Sequence, residues 1–133
     1  MRILVADDKP EICSALRLLL EQEPWVTVVG EASEANGLLV EMQSSSPDVV
    51  FVDWELPDLP PGEALERLHY LRPNLVLIAL SVRPEVREKA LAAGADAFIS
   101  KGEPPEALLK TLRSFTDAGT DRPGVKTCPD KPD

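Results

Sequence analysis

The chain has 133 residues, a formal net charge of −9, 44% hydrophobic residues and 5% aromatic ones. That length suits one domain with a sizeable core, and the acidic balance argues against binding nucleic acid or an anionic membrane while suiting a protein that holds a cation. No apolar run is long enough to span a bilayer, the N-terminus has no signal-peptide pattern, and two cysteines, Cys13 and Cys128, make no disulfide framework, so a cytoplasmic, reduced setting is expected.

The first strand is predicted over Arg2–Ala6, from Ile3, Leu4 and Val5, and it runs straight into Asp7-Asp8. A helix follows with Ile12, Leu16, Leu19 and Leu20 on its apolar face; Asp8 is expected as its N-cap, with Glu11 three residues on completing a capping-box-like start. Pro24 stops that helix. Val26, Val28 and Val29 predict a second strand closed by Gly30, and Ser33 is expected to start a second helix carrying Ala35, Leu38, Leu39 and Met42. Val49 to Val52 are apolar and mostly β-branched, the pattern of a strand buried on both faces. This strand ends in a bare carboxylate, Asp53, and Pro57 stops regular pairing.

Pro57–Gly62 holds three prolines and one glycine, a tight loop. The third helix is expected to turn Leu65, Leu68 and Leu71 inward. Leu75–Leu80 predicts a fourth strand ending at Ser81. Pro84 sits in the first turn of a fourth helix, which Gly94 ends as a left-handed cap. Ala95–Ile99 predicts a fifth strand ending at Ser100-Lys101, and Pro104-Pro105 opens a fifth helix with Leu108, Leu109, Leu112 and Phe115 on one side. Residues 118–133 lose nearly all apolar character and are expected to form a flexible tail after a domain spanning 1–117. Strands alternating with helices over short connections predict an α/β fold, a three-layer (βα)5 sandwich whose five-stranded parallel sheet has the flavodoxin-like order 2-1-3-4-5.

Ligands bind at the C-terminal edge of such sheets. Here that edge gathers Asp7 and Asp8 from strand one, Asp53 from strand three, Ser81 from strand four and Lys101 from strand five. Three carboxylates so close repel one another, and a hard divalent cation relieves them. One that keeps some waters and shares phosphate oxygens is typical of Mg²⁺. With an ammonium and a hydroxyl alongside, the set suits a phosphoryl group carried on the third carboxylate.

These residues carry a resemblance to a known family. Ile3-Leu4-Val5-Ala6-Asp7-Asp8, Val52-Asp53 with Leu56-Pro57, Leu80-Ser81 and Ala93-Gly94-Ala95-Asp96-Ala97-Phe98-Ile99-Ser100-Lys101 resemble the receiver domain of two-component response regulators over roughly residues 1–116. Val28-Val29-Gly30-Glu31-Ala32 looks most like receivers that precede a LuxR-type helix-turn-helix. The resemblance implies that Asp53 is the phosphoacceptor, attacking the phosphohistidine of a sensor histidine kinase or phosphotransfer protein. It implies Mg²⁺ on Asp8, Asp53 and the backbone carbonyl of Glu55, with Asp7 acting through water. Lys101 would pair with Asp53 and then with the phosphoryl oxygens. Ser81 would swing to the phosphoryl group and Phe98 would follow it inward, repacking the face made by helix four, strand five and helix five for an output protein or a homodimer. Phe98 also has a plain reading as a core residue. The chain would then be no enzyme beyond assisting its own phosphorylation and dephosphorylation. The competing reading is a receiver-like interaction module that docks partners without phosphate.

Three departures from the family pattern bear on this. Gly62 arrives one residue late after Asp53, with Pro60-Pro61 before it. Val82 replaces a small residue after Ser81 and is expected to narrow access and slow phosphoryl exchange with water, which the dephosphorylation rate of Val82→Ala checks. Gly102 replaces a proline that usually follows the lysine across a cis bond; a cis bond before a non-proline costs about 2.5–4 kcal/mol, so a trans bond and a slightly displaced Lys101 are expected. The single histidine, His69, is expected partly exposed on helix three, and Cys13 in semi-buried packing. Glu55 is expected to tune entry to the site, and Arg83 and Arg87 to be surface charges.

Overall fold

The structure, a computed structural model, describes residues 1–117. The expected tail and Cys128 lie outside the described residues. Two compact units divide the chain, Met1–Gly102 and a second that begins at Glu103.

The first unit holds the sheet: β1 (Arg2–Ala6), β2 (Thr27–Ala32), β3 (Val49–Asp53), β4 (Val76–Ser81) and β5 (Ala97–Ser100), all parallel, in the order β2-β1-β3-β4-β5. The same unit holds α1 (Pro10–Leu20), α2 (Ala35–Ser45), α3 (Glu63–Leu71) and α4 (Arg87–Ala92); the second unit holds α5 (Pro105–Asp117), whose apolar stripe runs through Leu108 and Leu112. This is the flavodoxin-like arrangement of five parallel strands and five helices. Because side chains alternate across a strand, Leu4, Ala6, Val50, Val52, Leu77 and Ala79 turn to one face. There they form a core with Leu38 and Met42 of α2, Leu65 and Leu68 of α3, Ala90 of α4 and Phe98 of β5. Ile3, Val5, Phe51, Ile78 and Leu80 are buried on the other face, where α1 packs over β1 and β2.

Several boundaries differ from expectation for local reasons. β2 continues through Gly30 to Ala32, because β1 still offers a ladder there: Leu4 pairs with Gly30 after a bulge, and the Asp7 N–H reaches the Ala32 carbonyl at 3.0 Å. Pro84–Val86 is a separate 3₁₀ turn that leads into α4. β5 begins after Asp96, whose carboxylate and N–H both bond the Leu77 backbone, at 2.8 and 2.7 Å. In α3 the buried stripe is Ala64, Leu65 and Leu68; Leu71 is 47% exposed, because it closes the helix where Arg72 turns extended.

The Asp8 cap is a correction. Lys9 is the N-cap of α1 and makes no side-chain cap bond. The adjacent carboxylate that bonds the turn is Asp7, whose Oδ1 accepts the Lys9 N–H at 2.9 Å, while Asp8 is left half-exposed. A cap for α2 comes instead from a distant loop. The α2 N-cap, Glu34, makes no side-chain cap bond, but Asp58 accepts from the Ala35 and Asn36 N–H groups at 2.7 and 3.1 Å, and Pro57 O from Ala35 at 3.2 Å. Asp58 holds φ at 73° to reach them. The loop that follows Asp53 is thereby tied to the start of α2. At its far end Gly62, with φ 94°, provides a backbone conformation that a side chain would strain.

Candidate functional site

Each polar residue of the site follows a buried run of strand, so the sheet fixes its place. Asp53 is the last residue of β3 and is 2% exposed; Asp7 follows β1 and is 1% exposed. Asp8 is the outer member, its side chain 39% exposed beside Lys9. One carboxylate oxygen from each of Asp7, Asp8 and Asp53 lies within 4.8 Å of the others. Ser81 closes β4 and is fully buried. Lys101 follows β5, held by its N–H to the Ser81 carbonyl at 2.8 Å. The five residues expected at the ends of four strands therefore lie at one lip, with Asp7, Asp8, Asp53 and Lys101 in one cluster and the Ser81 hydroxyl turned to Glu55.

Lys101 sits differently from expectation. Its ammonium is 2.6 Å from Asp7 Oδ2 and 3.5 Å from Asp53 Oδ1, so the closer pair is with Asp7. Every peptide bond among the described residues is trans, including the one before Gly102. Burial alone would lower the Lys101 pKa, but the Asp7 and Asp53 carboxylates more than offset it and raise it. The reverse holds at Asp53: burial pushes its carboxyl up to about 6, the Asp7 and Glu55 charges add to that, and the Glu55 N–H, 3.0 Å from Oδ1, and the Lys101 ammonium pull it back. One lysine does not balance three acids.

The donor set fits a hard cation. It is all oxygen, anionic and convergent, and Asp7 Oδ2 is buried with no hydrogen-bond partner among the described residues beyond its ion pair with Lys101.

Other expected residues fall as follows. Phe98 is already buried, 5% exposed and part of the core, with the Arg87 guanidinium 5.8 Å from its ring centroid. An inward swing therefore has no outward starting point here, and the core reading fits. Arg87 also bonds the Phe98 carbonyl at 3.4 Å, so it is more than a surface charge. Val82 is 68% exposed. Pro60, Pro61 and Gly62 line a cleft shared with Asp53, Trp54 and Ala79. His69 is partly exposed, 3.7 Å from Asp96. Cys13 is fully in the core, its thiol on the Asp7 carbonyl at 3.4 Å and its pKa pushed up by burial.

Two features have no local sequence signal. Asp58 caps a helix from another segment. The Glu55 carboxylate accepts the Ser81 hydroxyl and is held by Arg83. Strand register could have suggested the second: Asp53 pairs with Leu80, so Glu55 and Arg83, a few residues beyond adjacent strand ends, emerge side by side.

Comparison with known proteins agrees with this geometry. The family model of the response regulator receiver domain matches residues 3–113. The nitrate/nitrite response regulator protein NarL of Escherichia coli K12 is 34% identical over 112 residues, 83% of this chain and 52% of NarL. A protein-glutamate methylesterase/protein-glutamine glutaminase of Agrobacterium fabrum is 34% identical over 109 residues, 80% of this chain and 31% of that protein. The chain thus spans about half or less of the length of these relatives. Among solved structures, a LuxR-family two-component response regulator from Aurantimonas sp. SI85-9A1 superposes with a TM-score of 0.81 at 25% identity, covering 88% of this chain and 85% of that one. The isolated REC domain of RcsB from Salmonella enterica serovar Typhimurium, solved with the phosphomimetic BeF3⁻, has a TM-score of 0.82 at 24% identity, with 88% of each chain covered, and shares the fold.

Proposed function

This chain belongs to the response regulator receiver domain family, and from that premise we propose that Asp53 accepts a phosphoryl group from the phosphohistidine of a sensor histidine kinase or phosphotransfer protein. The observation that carries the reading is the convergence of Asp7, Asp8 and Asp53 within 4.8 Å, with Lys101 against two of them. An Asp53 carboxylate oxygen attacks phosphorus, and the bond to the histidine nitrogen breaks. The Lys101 ammonium and the Ser81 hydroxyl stabilise the charge on the phosphoryl oxygens. Asp8, Asp53 and the Glu55 backbone carbonyl, with Asp7 through water, would hold Mg²⁺, which when bound supplies charge neutralisation for the crowded acids and the phosphoryl group. Lys101 and Ser81 assist gain and loss of phosphate on Asp53 itself, without a separate substrate. Output passes to a partner protein or a second copy of the chain through the face that contains α4 and β5, where Arg87 ties α4 to Phe98.

A phosphate-independent docking role has one observation in its favour: the Ser81 hydroxyl is already engaged by Glu55. Beryllofluoride with Mg²⁺ separates the two. Amide shifts spreading from Asp53 to Ser81 and Lys101 in the wild type, and absent from Asp53→Asn, are expected. A wild type that shows none overturns the phosphoacceptor reading in favour of docking.

A further inference from the structure

Beside Asp53 the site is closed by its own side chains. The Ser81 hydroxyl has one proton to give, and both Glu55 carboxylate oxygens stand 3.2 Å from Ser81 Oγ to take it. Arg83 clasps the same carboxylate, with Nη2 at 2.9 Å and Nε at 3.2 Å from Glu55 Oε2. The Arg83 backbone N–H also donates to Ser81 Oγ at 3.0 Å. The result is a closed ring of three residues, from the ends of two adjacent strands, around the Ser81 hydroxyl that a phosphoryl group on Asp53 would need. A single hydroxyl proton cannot serve a carboxylate and a phosphoryl oxygen at once.

We propose that Glu55 and Arg83 form a latch on Ser81, so that Glu55 is a positioning residue that sets how readily the site takes up and keeps a phosphoryl group. This rests on the phosphoacceptor reading above. In the resting protein Glu55 holds the hydroxyl. A phosphoryl group on Asp53 competes for the same proton and, as a second anion, repels the Glu55 carboxylate. The carboxylate leaves with Arg83, and Ser81 turns to the phosphoryl oxygens. The Glu55 and Arg83 side chains are 38% and 51% exposed, so the pair opens at little cost and the latch tunes the site without blocking it.

The test is a double-mutant cycle on the full chain, reading beryllofluoride affinity with Mg²⁺ present. Glu55→Ala is expected to tighten binding about three- to tenfold, the range for losing one competing hydrogen bond of ordinary net strength. In a Ser81→Ala background the same substitution is expected to gain clearly less, because only the charge of Glu55 is then removed and there is no hydroxyl left to release. An equal gain in both backgrounds would show that only the charge of Glu55 matters and would overturn the latch. Side-chain couplings at Ser81 give a second readout without any phosphate analogue: one rotamer in the wild type, several in Glu55→Ala. Averaged rotamers in the wild type would also overturn it. Wild type that binds beryllofluoride while Glu55→Ala is unchanged sinks the latch alone; wild type that binds none sinks the phosphoacceptor reading and the latch with it.

Discussion

Two groups of charges share the lip of the sheet and are handled in opposite ways. Around Asp53 and Asp7 the acids are almost fully buried and outnumber their one lysine, and burial above all, with the neighbouring charges added, pushes the Asp53 carboxyl up to about 6. Around Ser81 the polar groups satisfy one another: hydroxyl to carboxylate, carboxylate to guanidinium, amide to hydroxyl. The first half is held in an unfavourable state that a bound cation would relieve. The second is already content and has to be undone. The difference teaches where to look for binding energy and where for its cost: unbalanced buried charge draws the ligand, and satisfied half-exposed charge sets the threshold for switching.

The largest effect that sharpens this contrast lies in the stability of metal-free protein. Asp53 has its folded pKa raised, so its contribution to stability is complete below the ordinary carboxylate value, near 4, and is lost as pH rises through about 6. Asp53→Asn removes that loss. In EDTA it is expected to stabilise the fold by up to about 3 kcal/mol at pH 8, and by nearly nothing at pH 4, as read by urea denaturation. Added Mg²⁺ should stabilise the wild type and leave Asp53→Asn behind. An Asp53→Asn variant no more stable than wild type at pH 8 would break the contrast, because it would mean that the first half is not strained.

A smaller effect divides the two N-terminal acids. Asp7 is buried and among the causes that raise Asp53, while the Asp8 side chain is 39% exposed and its charge is screened by water. Asp7→Asn also leaves Asp53 as the carboxylate partner of Lys101, so it should flatten the pH dependence just described. Asp8→Asn should leave that pH profile in place and weaken Mg²⁺ binding about tenfold or more, the usual cost of disturbing a metal site, as measured by calorimetry at pH 7.5. The smallest effect lies away from both halves. Asp58→Ala removes the cap of α2 and should cost about 1 kcal/mol of stability with little change in the pH profile, seen as a shifted urea midpoint.

What could be read from the chain beforehand follows from the same physics. Buried parallel strands are continuous apolar runs, so Val49–Val52 and Leu75–Leu80 declared themselves, and a polar residue at the end of each run marked the lip. Asp7, Asp8, Asp53, Ser81 and Lys101 were legible for that reason. Partners chosen in three dimensions were not. The cap of α2 sits twenty-odd residues away at Asp58, and local spacing predicts a cap at Asp8 where Lys9 takes the position. Glu55 looked like a flanking charge because its acceptor role depends on the register between β3 and β4. Lys101 was expected on Asp53 and lies closer to Asp7, a choice made by side-chain reach that spacing does not encode. Phe98 had two readings in sequence, and burial favours the core one.

The most direct test of the central claim is to incubate the protein with acetyl phosphate and Mg²⁺ and to locate the phosphoryl group by peptide mass mapping. A single Mg²⁺-dependent phosphoryl group on the peptide that carries Asp53, lost in Asp53→Asn and abolished by EDTA, is the predicted result. No phosphorylation with Asp7, Asp8 and Lys101 intact, or phosphorylation of a different residue, would contradict it.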